Sequence, residues 1–322
     1  SGGTESDNLA IRGVIGAARG KNRRCHVITS AIEHPAVLRT CEAMEREGCD
    51  VTYLKSGTDG AVRPGELKNA LRPETVLVSV MLANNETGVI QPIAEITELT
   101  RGKGIILHTD AVQGVGKIPV DVDELGADLL SISAHKFYGP KGIGAIYVRR
   151  GAAIEPAYTG GGQENGLRPG TLNVPGIVGF GEACRITKDR LPSEMARIGE
   201  LRDRLESGLR DRVDDLLFNG IEAPRVPNTS SVAVPRIEGE AITLNLSMLG
   251  FAVSSGSACA SGSSEASQVL VSMGLDPADA QGGVRISLGI ENTKEEIESF
   301  VDAFAGVVDR LRKLSPLGRH TA

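Results

Sequence analysis

Two neighbouring stretches invite chemistry. Ser133-Ala134-His135-Lys136 follows an apolar run and precedes the turn Gly139-Pro140-Lys141-Gly142, so Lys136 is delivered at the end of a strand. One run earlier, Ile105-Ile106-Leu107-His108-Thr109-Asp110 closes on an acid, with Gln113 three residues further on. Singly, such a lysine is ordinarily solvated and such an aspartate ordinarily shapes a turn. Together, an Asp ending one strand and a Lys ending the next make the pairing that pyridoxal phosphate (PLP) requires. The amine forms a Schiff base, and the carboxylate keeps the pyridine nitrogen protonated so that the ring accepts electrons. The phosphate needs a cradle as well. Gly2-Gly3-Thr4-Glu5-Ser6 stands before a helical segment, 7–18, whose N-terminal amides would point at an anion, and Ser133 and His135 can add contacts beside Lys136.

A nucleophile is the second requirement. Cys259 lies in Ser254-Ser255-Gly256-Ser257-Ala258-Cys259, a run of small residues with almost nothing to bury a thiol. That composition suits an exposed reactive cysteine on a mobile loop better than a core residue. Cys25, Cys41, Cys49 and Cys184 sit in or beside periodic apolar segments and are expected to be packing residues. Arg285, inside the apolar Val284-Arg285-Ile286, is costly to bury unpaired, and a bidentate carboxylate would resolve that cost. His34 before Pro35 reads either as a functional imidazole or as a core or capping histidine, and Asn85 either as a ligand or as a turn residue. His26, His108 and His320 show no metal-ligand spacing with the cysteines, so no zinc site is expected.

These residues must be held by something. Apolar runs at 26–29, 51–54, 76–82, 105–108, 129–133 and 144–148 alternate with helix-like segments at 35–47, 65–70 and 93–102, the pattern of a mostly parallel sheet covered by helices. Sites in such sheets collect at the carboxyl ends of strands. Near residue 190 the pattern changes: Leu191, Met195, Ile198, Leu201, Leu205 and Leu209 mark a long amphipathic helix. It carries the chain from a large domain, 1–190, into a smaller one, 191–322. Strands are expected there at 230–234 and 251–254, and the last helix opens on a capping box of Thr293 and Glu296. The first residues hold no initiator Met and no leading element, which reads as a start in mid-domain with sequence missing upstream.

Composition excludes several alternatives. With 322 residues, 40% hydrophobic and 24% charged, the chain has room for about two ordinary globular domains. A net charge of −6 without any basic block argues against direct nucleic-acid or membrane-surface binding, and no apolar run approaches the roughly 18 residues of a spanning helix. Five scattered cysteines without a CxxC pair point to free thiols in a reducing, cytoplasmic setting.

With Glu33-His34, Asn84-Asn85-Glu86-Thr87-Gly88, His108-Thr109-Asp110-Ala111-Val112-Gln113 and Ser254-Ser255-Gly256-Ser257-Ala258-Cys259 in this order, the chain resembles the cysteine desulfurases of the NifS/IscS group over nearly its whole length. These are PLP-dependent fold type I enzymes of the class-V aminotransferase family. The resemblance implies an α/β fold, with a large, mostly parallel sheet domain covered by helices and a smaller C-terminal α+β domain. It implies Lys136 as the Schiff-base lysine, Asp110 as partner of the pyridine nitrogen, and His34 as the imidazole stacked on the ring. Gln113 becomes the donor to the phenolic oxygen; Thr4, Ser133 and His135 become phosphate ligands. Thr171, in Arg168-Pro169-Gly170-Thr171, resembles the threonine lent to a neighbouring subunit's phosphate, so a homodimer is implied. Asn85, counted also among the cofactor contacts, and Arg285 would hold the carboxylate of L-cysteine.

Cys259 would take the substrate's sulfur as a persulfide, leaving alanine, and pass it to an iron–sulfur scaffold or another sulfur-acceptor protein; it could bind an iron–sulfur cluster during transfer. Alternatives are a selenocysteine lyase, another PLP aminotransferase or lyase, and an inactive truncated scaffold. Relatives carry an N-terminal stretch that lines the pocket and a C-terminal tail used in docking. Neither is expected in this chain.

Overall fold

The computed structural model describes residues 1–20, 24–256 and 266–314. They form two compact units: one of residues 1–56, 61–84 and 90–191, the other of 57–60, 85–89 and 192–322. A single boundary near residue 190 leaves the stretches 57–60 and 85–89 in the first unit; they cluster with the second.

In the first unit β1 (His26–Ser30), β2 (Asp50–Leu54), β3 (Thr75–Ser79), β4 (Ile106–Asp110), β5 (Leu129–Ser133) and β6 (Gly144–Val148) make a six-stranded sheet in the order β2-β1-β3-β4-β5-β6. All neighbours are parallel except β5 and β6. Every residue of β1 and β3 is buried, whereas the edge strand β6 is half-exposed throughout. That contrast is what a helix-covered parallel sheet dictates. The helices are α1 (Gly3–Arg19), α2 (Pro35–Arg46), α3 (Pro64–Ala70), α4 (Ile93–Thr100), the single turn α5 (Val122–Leu125) and the first half of α6 (Val174–Arg212). Ile11, Val14 and Ile15 of α1 pack with Val37, Cys41 and Met44 of α2 over Val27, Leu77 and Leu129 of the sheet. Gly13 is required in α1: a Cβ there would lie 2.5 Å from the Glu155 carbonyl oxygen, whose own amide donates to Gly13 O at 3.0 Å.

The second unit holds an antiparallel sheet, β7 (Leu217–Phe218), β8 (Thr229–Ala233), β10 (Gly283–Ser287) and β9 (Ser254–Ser255), in that spatial order. Its helices are the rest of α6, α7 (Gly239–Met248), the short α8 (Gln268–Ser272) and α9 (Pro277–Ala280), and α10 (Lys294–Leu314). Ile198, Leu201, Leu205 and Leu209 of α6 meet Val232, Val284, Ile286, Phe300 and Phe304 in one core. Pro192 sits inside α6, where the chain changes unit. The expected capping box is formed: Thr293 N donates to Glu296 Oε2 (3.1 Å) and Glu296 N donates to Thr293 Oγ1 (3.2 Å). The expected strand at 251–254 is corrected to Ser254–Ser255, and the expected helix at 7–18 starts at Gly3. Among the described residues no helix is long and apolar enough to cross a membrane.

Phe304 is the largest fully buried side chain and stacks obliquely on Phe300, centroids 5.9 Å apart. Phe304→Ala is expected to destabilise the second unit by about 3–5 kcal/mol through the cavity it leaves. A lowered urea midpoint, with the fold retained in buffer, is the measurement that checks it.

Candidate active site

The first turn of α1 lies against the exits of β4 and β5. A Cβ on Gly3 would fall 2.8 Å from Val112 Cγ2, and one on Gly2 would stand 3.8 Å from Ser133 Oγ. Gly2, the residue that starts the helix, offers no side-chain cap to the first amides. A 17-residue helix with uncapped N–H groups is a ready anion site. Ser133 Oγ and His135 Nδ1 are 2.9 Å apart beside it. Glu5, an acid in the same turn, is neutralised: Arg168 Nε and Nη2 donate to it at 2.7 and 3.3 Å, and Tyr158 Oη donates at 2.7 Å. The Arg168 bond holds the Glu5 carboxyl well below the usual carboxylate range, so its charge is matched.

Asp110 ends β4, buried, with Oδ1 accepting from Val112 N at 2.9 Å. Burial raises its pKa to about 6, while the Val112 amide and the Lys136 charge pull it down. Lys136 itself lies in the one-turn 3-10 helix Ala134–Phe137 that follows β5 and is closed by Tyr138 in a left-handed conformation (φ 68°). Its charge also depresses His34 and His135, after the larger effect of burial, so one ammonium acts on the aspartate and both imidazoles. His34 is the N-cap of α2: its Nδ1 accepts from Ala36 N at 3.1 Å. Nδ1 must then be the lone-pair nitrogen, and the ring proton sits on Nε2.

Three further buried groups surround Asp110. Glu33 accepts from Ser30 Oγ (2.5 Å) and Met81 N (3.0 Å) through Oε1, and burial pushes its pKa up to about 8. His108 is wedged between Ser79 (2.8 Å) and Ser131 (3.0 Å), and burial lowers its pKa to about 3. Asp7 Oδ1 approaches His108 Nε2 at 3.6 Å. Burial keeps His108 neutral, so this contact is not an ion pair; burial and, after it, the nearby Asp110 charge raise Asp7. Asp110 is therefore nearer to ionisation at neutral pH than Glu33, the state that a pyridinium nitrogen calls for.

The second unit carries a separate polar knot. Arg285 on β10 donates from Nη1 to the Asn85 carbonyl oxygen (2.8 Å) and from Nη2 to Ser254 Oγ (3.0 Å). Among the described residues its buried Nε and the buried Asn85 Oδ1 have no hydrogen-bond partner. A guanidinium with an idle, desolvated donor is what a carboxylate-binding arginine looks like before its ligand arrives. Glu86, beside Asn85, accepts from Ser267 Oγ at 2.5 Å, and burial raises its pKa to about 7 against the opposing effects of Ser267 and Arg285.

The class-V aminotransferase family model matches residues 1–300. The chain belongs to that family, in its NifS/IscS-like branch. It is 47% identical over 316 residues to a protein named cysteine desulfurase IscS from Dictyoglomus turgidum, covering 98% of this chain and 80% of that one. The protein of the same name from Klebsiella pneumoniae is 49% identical over 319 residues, covering 98% and 78%. Among solved structures, a NifS-like protein matches with a TM-score of 0.88 at 39% identity, covering 97% of this chain and 82% of that one. DndA from Streptomyces lividans matches with a TM-score of 0.76 at 38% identity, covering 89% and 81%. The family's enzymes depend on PLP. The donor-lined start of α1, the buried Asp110 and the adjacent Lys136 fit such a group.

The remaining candidates of this family site are placed as follows. Thr4 is exposed on the first turn of α1, and Gln113 takes a hydrogen bond from Lys117 on its carbonyl oxygen, leaving the amide as its donor end. Thr171 is exposed, after Gly170, whose amide donates to Gln163 Oε1 at 2.9 Å. Cys259 lies outside the described residues. Cys25, Cys41 and Cys49 are buried, but Cys184 is a correction: it is exposed, standing about 100° around α6 from the buried Ala183 and so off the buried face. The sequence reading missed the roles of Asp7, Glu33, Glu5 with Arg168, and Glu86. Asp7 was open to detection, since it stands one helical turn before Ile11 on the apolar face of α1.

Glu33 generates a pH prediction. Its pKa rises from an ordinary 4.5 to about 8 on folding, so between these values the folded chain holds a proton that the unfolded chain has lost. Stability from this group therefore falls as pH rises through that window. Glu33→Gln should flatten the decline of the urea midpoint between pH 6 and pH 8.5 relative to the unaltered protein, and parallel declines would refute the assignment.

Proposed function

We propose that this chain is a PLP-dependent cysteine desulfurase that converts L-cysteine to alanine and leaves the sulfur as a persulfide on Cys259. The observation that carries the reading is the junction of the α1 N-terminus with the exits of β4 and β5, where an anion cradle, a buried Asp110 and Lys136 come together. The names of the similar proteins agree with it.

Bound there, PLP supplies an electron sink for the bonds at the substrate's α-carbon. Lys136 Nζ would hold the cofactor covalently and would serve as the base for the substrate's α-proton. Asp110 would keep the ring nitrogen protonated. The α1 amides, Thr4, Ser133 and His135 would bind the phosphate, and the Gln113 amide would serve the phenolic oxygen. His34, with its proton on Nε2, would line the ring's site and serve the substrate thiol. Arg285 Nε and Asn85 bind the substrate carboxylate, answering a buried donor that otherwise stays idle. The Cys259 thiolate attacks the substrate sulfur: an S–S bond forms, the C–S bond breaks, and its electron pair stays with the carbon that becomes the methyl group of alanine. The persulfide is then handed to a sulfur-acceptor protein, an iron–sulfur scaffold being the acceptor we favour.

A homodimer completes the proposal. Thr171 would serve the neighbouring subunit's phosphate, and beside it Leu172, Val174, Ile177 and Val178 expose an apolar run that water disfavours. Light scattering should find a dimer, and Val178→Asp should shift it toward monomer; a monomeric unaltered protein would overturn this part.

Two variants test the chemistry. Cys259→Ala should keep the yellow cofactor and bind L-cysteine but release no sulfide. Lys136→Ala should lose the visible band and borohydride trapping, with turnover down by roughly 10²–10⁴-fold or more, the scale of a missing general base. Sulfide release at an undiminished rate by Cys259→Ala would sink the persulfide assignment.

A further inference from the structure

The loop that carries His34 is held from two directions. Ser30, at the end of β1, and Met81, just beyond β3, both donate to Glu33 Oε1, the hydroxyl at 2.5 Å and the amide at 3.0 Å. In the opposite sense, Asn84 Nδ2 donates to the Ile32 carbonyl oxygen at 2.9 Å. Each segment thus lends a side chain to the other's backbone. Met81 Sδ lies 3.5 Å from the same Asn84 Nδ2 and helps to fix its orientation. The segment 80–84 is itself anchored on β4: Val80 N donates to His108 O at 3.1 Å, and Leu82 N donates to Asp110 O at 2.8 Å. Ile32, Glu33, Met81 and Asn84 are all buried. A chain of bonds therefore runs from the residues next to His34, through 81–84, to the backbone of Asp110.

We infer that Glu33 and Asn84 are positioning residues for His34: the reciprocal clamp they form holds the His34 loop on the segment 81–84 and so registers the imidazole against Asp110. The inference rests on the desulfurase reading, in which those two residues serve one cofactor ring. The clamp bonds are buried, so any other placement of the loop would leave desolvated donors and acceptors unpaired. Placement in turn governs rate, since a shift of about 1 Å in a reacting group costs up to about a hundredfold. The clamp uses Glu33 as an acceptor through one oxygen and needs no charge on it. Burial pushes its pKa up to about 8, so at neutral pH the acid form prevails, and a glutamine amide matches that form in shape and in its single acceptor oxygen.

The test compares the unaltered protein with Glu33→Ala, Glu33→Gln and Asn84→Ala. In cofactor-free protein, nitrogen NMR shifts of His34 report which ring nitrogen carries the proton, and exchange of the Ala36 amide reports its bond to Nδ1. Glu33→Ala and Asn84→Ala should each mix the two His34 tautomers and quicken Ala36 exchange by about tenfold. Glu33→Gln should keep the single tautomer and the slow exchange. Should Glu33→Ala not fold, Asn84→Ala carries both readings. In the holoenzyme with L-cysteine, Glu33→Ala should lower kcat by about tenfold or more with KM changed by less than about twofold, and Glu33→Gln should recover most of kcat. A single tautomer with unchanged Ala36 exchange in Glu33→Ala and Asn84→Ala would overturn the inference. Equal defects in Glu33→Gln and Glu33→Ala would overturn it too, as would a loss carried wholly by KM. Should the unaltered holoenzyme make no free alanine from L-cysteine, the desulfurase reading itself fails, while the His34 tautomer and Ala36 exchange still decide the clamp.

Discussion

Gly3 and Gly144 have no side chains, and the position of the start of α1 depends on that. Gly3 lies where a methyl group would overlap Val112, and Gly144 on β6 lies where one would meet Gly2 Cα at 2.8 Å and the Ile132 carbonyl at 2.5 Å. Backbone therefore sits directly on backbone at the junction of α1, β5 and β6, and the first amides of α1 reach the exits of β4 and β5. A side chain on Gly3 or Gly144 would force the helix start to shift.

Around this junction the sheet buries more acid than it can ionise. Asp7, Glu33 and Asp110 lie within electrostatic reach of one another, as their mutual effects on titration require. Desolvation eases the conflict by raising Asp7 and by pushing Glu33 up to about 8. Asp110 is spared because it accepts from the Val112 amide and feels Lys136. The neighbouring His108, held neutral between two serines, adds no charge.

Much of this was legible in the order of residues. Strands ending in Asp110 and Ser133 announce themselves as apolar runs with a polar last residue, and a parallel sheet sends such residues to one edge. The helix start at Gly3 was less legible, since glycine weakens a helix in isolation and only the approach to Val112 explains its use. Glu33 and Glu86 were hidden for another reason. Apart from Ser30 beside Glu33, their partners, Met81 for the one and Ser267 for the other, are 48 and 181 residues away in the chain, beyond any local pattern. Cys184 misled because a period of apolar residues along α6 does not say which side a given turn presents.

The cap at the start of α2 sets a condition on His34. Its Nδ1 lone pair is taken by the Ala36 amide, so the imidazole can gain a second proton only by letting that amide go. An N-cap of this kind contributes about 1 kcal/mol to its helix. Charging the ring at Nδ1 and releasing the Ala36 cap are consequently one event, so the cap favours the uncharged imidazole.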